Sequence, residues 1–101
     1  MTEPHLAWSV LRETNLQDAR LQGANLRGDA DLSYADLSDA NLSEADLSYD
    51  NLSSANLQGA NLTDAVLRGA NLSNAKVTSE QLAEAKSLQG ATMPNGQKYE
   101  D

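Results

Sequence analysis

Residues 30–62 read ADLSY ADLSD ANLSE ADLSY DNLSS ANLQG ANL, a five-residue unit with Leu third, a small residue first and Asp or Asn between them. Working outward, leucines stand at positions 16, 21 and 26, slip by one residue, and continue every fifth position from 32 to 72, with Val77 closing the series. Two residues before each of these thirteen positions the occupant is Ala in eleven units, Thr14 and Asp50 being the exceptions. The position between them is Asn or Asp except at Arg20, Val66 and Lys76. A period of five suits neither common element. On a helix each step turns the leucine about 140° further round, and on a strand an odd period sends successive leucines to opposite faces. Residues two apart do share a strand face, so Ala and Leu point inward together if the chain is extended there and bends once per unit. Coils formed this way stack about 4.8 Å apart and bury a continuous core only with their neighbours present.

Units such as Ala35-Asp36-Leu37-Ser38-Asp39 and Ala60-Asn61-Leu62-Thr63-Asp64 resemble those of the pentapeptide-repeat family, over residues 14 to 78. The resemblance implies an all-β solenoid: a right-handed, quadrilateral β-helix with five residues per side and twenty per coil, Leu and Ala inward and the other three positions outward. Thirteen units then make a little over three coils. The expected organisation is an N-terminal cap over 1–13, the β-helix over 14–78, and a C-terminal cap helix and tail over 79–101. Truncating a central leucine, Leu57→Ala, is expected to cost about 2–5 kcal/mol, because neighbouring coils collapse only partly into the gap.

The ends read as short helical caps. Pro4 suits a first helical turn, and Leu6, Trp8, Val10 and Leu11 make a helix over Glu3 to Glu13 plausible on spacing, although Leu6 and Leu11 also keep the period of five. Thr78-Ser79-Glu80-Gln81 has capping-box spacing ahead of good helix formers and predicts a helix at about 79 to 87. Leu88, Ala91 and Met93 form a last inward set, and Pro94-Asn95-Gly96 a turn. This tail resembles endings of cyanobacterial members of the family.

Two irregularities coincide. The slip adds one residue within Arg27-Gly28-Asp29, absorbed by a bulge at Gly28. Counting by twenty places Asp50 in the inward column of Ala30 and Ala70, directly above it. Either the Asp50 carboxylate accepts backbone N–H groups freed by the bulge, or it swings out to solvent at a distorted corner.

Chemistry is sparse. The chain has no Cys, which excludes disulfides and Cys-based zinc sites, and His5 is its single histidine. Six of its ten serines recur directly after Leu, where a small polar side chain suits an outer corner. The Asp-rich calcium signature of other β-helix repeats is missing, so no metal, cofactor or catalytic residue is expected. No signal peptide or membrane-spanning run is apparent, which makes the cytoplasm the expected compartment.

Charge is more informative. The formal net charge is −8, and eight acids lie between Arg27 and Arg68 with no base among them: Asp29, Asp31, Asp36, Asp39, Glu44, Asp46, Asp50 and Asp64. Elsewhere seven acids balance seven bases. The net charge thus forms an acidic belt, with acids going round all four sides, and direct nucleic-acid or membrane binding is not expected. Some pentapeptide-repeat proteins resemble duplex DNA and bind DNA gyrase. By resemblance, the alternative role is an acidic DNA mimic acting on gyrase or another type II topoisomerase. The leading expectation is a non-enzymatic scaffold or interaction module for an unknown protein partner, with an end-to-end homodimer conceivable. A candidate protein-contact patch combines Arg27, Tyr49, Val66 and Arg68, with Arg68 placed to stack on Tyr49.

Overall fold

The computed structural model describes residues 11–28 and 30–99. Among them the chain rises as a square coil whose successive levels are joined by single parallel bridges instead of extended strands. Pairs such as Asp36 with Asn56 and Asp46 with Val66 set a coil of twenty residues. Leu11, Leu32, Leu52 and Leu72 stack on the first face, and Leu16, Leu37 and Leu57 on the second. Leu21, Leu42 and Leu62 make the third, and Leu26, Leu47 and Leu67 the fourth. Leucines from 26 to 72 and the alanines facing them are sealed from solvent, and burial of each leucine side chain is worth about 1.5–3 kcal/mol.

Each corner turns the same way. The N–H three residues after a core leucine donates to that leucine's carbonyl, as Ala35 does to Leu32 at 3.1 Å and Ala55 to Leu52 at 3.0 Å. The residue two after the leucine takes a left-handed conformation, with φ between 58° and 66° at nine non-glycine positions, including Tyr34, Asp39, Glu44, Tyr49 and Asp64. All ten Asn or Asp residues ahead of a core leucine accept the N–H two residues on through Oδ1, at 3.0 to 3.2 Å. These side chains fasten each side to its corner, since an Asx side chain supplies the acceptor the bending backbone lacks.

The slip after Leu26 has a structural repair. Gly28 still occupies its corner, donating to Ser48, so the count leaves Asp29 over. Ala30 consequently stands four residues beyond Leu26, and its N–H donates to Asp50 Oδ1 at 2.9 Å in a buried site. Asp50 itself is only 1% exposed. The carboxylate therefore points inward and takes over from the Leu26 carbonyl; it does not swing to solvent.

The ends correct two expectations. Leu11 to Glu13 belong to the coil, because Leu11 and Glu13 donate to Asp31 and Ser33 of the next level. A helix through Glu13 is thus excluded there, and the remainder of that expected cap, with His5, lies outside the described residues. At the other end α1 (Ser79–Ala83) is shorter than the expected 79 to 87. Its capping box is formed, Gln81 N–H donating to Thr78 Oγ1 at 3.1 Å and Thr78 N–H to Gln81 Oε1 at 2.9 Å. Helix propensity beyond Ala83 yields to the coil beneath: Asp64 N–H needs the Glu84 carbonyl, and Lys86 N–H reaches the Ala65 carbonyl. The ladder resumes at Ser87 opposite Val66 and ends with Thr92 opposite Asn71. It therefore extends beyond 14–78 at both ends.

Candidate interaction surface

The acidic belt divides into groups with different work. Asp31, Asp36 and Asp46 are corner fasteners on the first, second and fourth faces, and each also accepts the hydroxyl of the following Ser at 2.6 Å. Hydrogen bonds from the Ser33 hydroxyl and N–H hold Asp31 below the ordinary 3.8, and those from Ser38 do the same for Asp36. Asn performs the same fastening at 41, 51, 61 and 71, so geometry does not require the charge at these three positions. Asp50 is buried, and Asp29 lies outside the described residues.

The other acids do not go round the molecule. Asp39 shares with Asp18 the corner between the second and third faces. Glu44 and Asp64 stack at the corner between the third and fourth, and Glu84 lies beside Thr63, whose hydroxyl donates to its Oε1 at 3.0 Å. The third face is thus edged with carboxylates on both sides.

The opposite, first face is edged differently. Tyr34 and Tyr49 stand at its two corners, 55% and 46% exposed. The Arg12 guanidinium lies 5.2 Å from the Tyr34 ring centre and that of Arg27 lies 5.8 Å from the Tyr49 ring centre. Each pair joins one coil to the next, and such stacks are worth about 0.5–1 kcal/mol when exposed. Arg27, and not Arg68, therefore covers Tyr49. The reason is the direction in which Tyr49 leans: its ring lies against Gly69 of the following coil, leaving its other side to the preceding one. Val66 bridges Asp46 and Ser87 on the fourth face, beside exposed Arg68. The four expected patch residues thus share that face and its corner. Tyr34 and Arg12, which complete a second pair, were not singled out by sequence; an Arg at the place after Leu and a Tyr at the next corner of the same column was the available signal.

Among the described residues no group of His, Asp or Glu is arranged to hold a metal, and no helix is long and apolar enough to cross a membrane. The family described as pentapeptide repeats matches residues 5–28, 29–49 and 51–79, in eight copies. The chain belongs to the pentapeptide-repeat family. Pentapeptide-repeat proteins are generally non-catalytic structural or interaction modules. Among solved structures, the chain is similar to HetL, a pentapeptide-repeat protein involved in heterocyst differentiation regulation in the cyanobacterium Nostoc sp. strain PCC 7120. The identity is 31%, over 94% of this chain and 62% of that one, with a TM-score of 0.38. A pentapeptide-repeat protein of the Arabidopsis thaliana thylakoid lumen is 27% identical over 89% of this chain and 61% of that one, with a TM-score of 0.40. This pentapeptide-repeat chain spans about three fifths of the length of both. No curated protein matches it.

Proposed function

We propose that this chain is a non-enzymatic interaction module, a right-handed four-sided β-helix that offers the tyrosine-edged first face to a protein partner. The observation that carries this reading is the pair of exposed tyrosines, each braced by an arginine from the preceding coil. A braced aromatic loses little freedom on binding, and tyrosine among Ser, Asn and Arg is the composition of many protein-binding surfaces. Between the two tyrosines the outward residues are polar: Asp31, Asn51, Ser53, Asn71 and Ser73. The acids edging the third face serve solubility in this reading.

The test is affinity capture from an extract of the source cells with the chain and with its Tyr34→Ala/Tyr49→Ala variant, reading recovered proteins by mass spectrometry and oligomeric state by light scattering. Loss of specific partners from the variant supports the module; identical partners and the same oligomeric state overturn it. DNA mimicry stands second, because among the described residues the corner acids stack only in pairs, Asp18 with Asp39 and Glu44 with Asp64, and form no long ladder. Gyrase supercoiling inhibited in a salt-sensitive way, and restored by Glu44→Gln/Asp64→Asn, would promote it.

A further inference from the structure

The left-handed corner position does not demand glycine, since nine other residue positions adopt it. Yet the corner between the fourth and first faces holds Gly28, Gly69 and Gly90, with Tyr49 as the one side chain among the described residues of the column. Gly69 has a local reason: a methyl there would overlap the Tyr49 ring. Gly90 has none, because a methyl there would meet only the backbone of Gly69 at ordinary contact distance, 3.9 to 4.0 Å. Its bareness leaves open a cleft of about 400 Å³ floored by Gly69 and Gly90 and walled by Tyr49, Arg68, Gln89 and Lys98.

The walls are cationic on a molecule of net charge −8. Arg27, Arg68 and Lys98, three of the seven basic residues, gather round this corner. Arg27 is engaged on the Tyr49 ring, whereas neither Arg68 nor Lys98 makes an ion pair or side-chain hydrogen bond among the described residues. Lys98 is brought there by the tail, which folds back so that Lys98 bridges Thr92 and the Tyr99 carbonyl accepts from Gly90.

We propose that this cleft binds an acidic segment of a protein partner, its carboxylates pairing with Arg68 and Lys98 while its apolar atoms pack on Tyr49. The inference rests on the interaction-module reading and adds the chemistry of the partner. An arginine fork suits a carboxylate in two-point contact, and a second cation beside it selects a segment with neighbouring acids. Screening confines what an approaching carboxylate senses to about 8 Å, so the cations lining the cleft weigh more than the net charge of the whole chain. A nucleic acid, dense in phosphates along its whole length, is opposed by the overall charge.

The experiment follows backbone amide resonances of the isotope-labelled full chain during titration with a short peptide alternating Glu and Ala, its Lys-Ala counterpart, and a short single-stranded oligonucleotide. Saturable shifts at Tyr49, Gly69 and Gly90 with the Glu peptide alone are expected, with affinity falling about tenfold or more in Arg68→Glu/Lys98→Glu and unchanged in Glu44→Gln/Asp64→Asn. Gly90→Asn, which keeps the left-handed corner but fills the floor, is expected to abolish the shifts without unfolding the chain. No shifts, shifts scattered over the third face, or an equal response to the oligonucleotide overturn the proposal. If Tyr49-dependent partners are still captured from extract while the peptide does nothing, the acidic-segment proposal falls and the module reading stands.

Discussion

The coil is interrupted twice by one extra residue, and the two places are mended by different means. Paired residues that span the slip after Leu26 stand twenty-one apart, as Asn25 and Asp46 do, and those that span α1 do so again, as Val66 and Ser87 do; the others stand twenty apart. In the first place the donor is sealed from solvent, and the orphaned Ala30 N–H is met by a carboxylate from the level above. In the second a short helix replaces one corner at the end coil. There the Gln81 side-chain amide donates to the Leu57 and Ala60 carbonyls at 2.7 and 2.9 Å. An internal fault is thus mended by an ionisable group inside the core; a fault near the end is mended by a neutral one at its rim. The difference follows from access: a buried donor enclosed on every side needs a protein acceptor, whereas water reaches the helix end.

The contrast can be broken at either end. Asp50→Ala leaves the Ala30 N–H buried without that acceptor and is expected to cost about 1–3 kcal/mol. Thermal unfolding should register this as a fall of about 4–8 °C for each kcal/mol; an unchanged or higher Tm would show that the carboxylate mends nothing. Gln81→Ala removes two bonds to carbonyls nearer the surface and the acceptor of the Thr78 N–H, for about 1–2 kcal/mol in a urea titration. A loss exceeding that of Asp50→Ala would reverse the comparison. Thr78→Ala, which strips the helix cap alone, should cost about 1 kcal/mol, separating local capping from the grip on the coil beneath. The smallest effect concerns the fasteners on regular coils. Because Asp31 and Asp36 titrate below the ordinary 3.8, their contribution is present above that pH and is lost as pH falls through their lower folded values. Asp31→Asn/Asp36→Asn should therefore flatten the acid limb of a stability–pH curve while leaving neutral stability nearly unchanged.

Much of this was legible because inward positions repeat in both volume and polarity: Leu and Ala at fixed spacing leave one packing solution, and the slip at Arg27-Gly28-Asp29 points by simple counting to Asp50. The capping box at Thr78 and Gln81 was equally plain. Other features are set by neighbours twenty residues away. The length of α1 is decided by Asp64 and Ala65, whose backbone groups claim Glu84 and Lys86. The partner of Tyr49 depends on whether its ring leans to the next coil or the last, which spacing does not encode. Asp31, Asp36 and Asp46 read as charge in a sequence, although their role in the fold is that of an acceptor which Asn fills as well. The recurrence of Ser or Thr two residues after Asn or Asp was the visible sign of that role.

The mend at Asp50 also constrains the order in which such a chain can change. Asp29 and Asp50 are far apart along the polypeptide, yet the surplus residue and the carboxylate are useful only together. Inserting the residue first strands a donor in the core; introducing the acid first buries a carboxylate facing a donor already taken. Removing Asp29 and replacing Asp50 by Ala should each do harm alone and much less in combination. Either order of change therefore passes through a less stable intermediate, so the one-residue slip is held in place by a partner twenty residues away instead of drifting freely as loop length does.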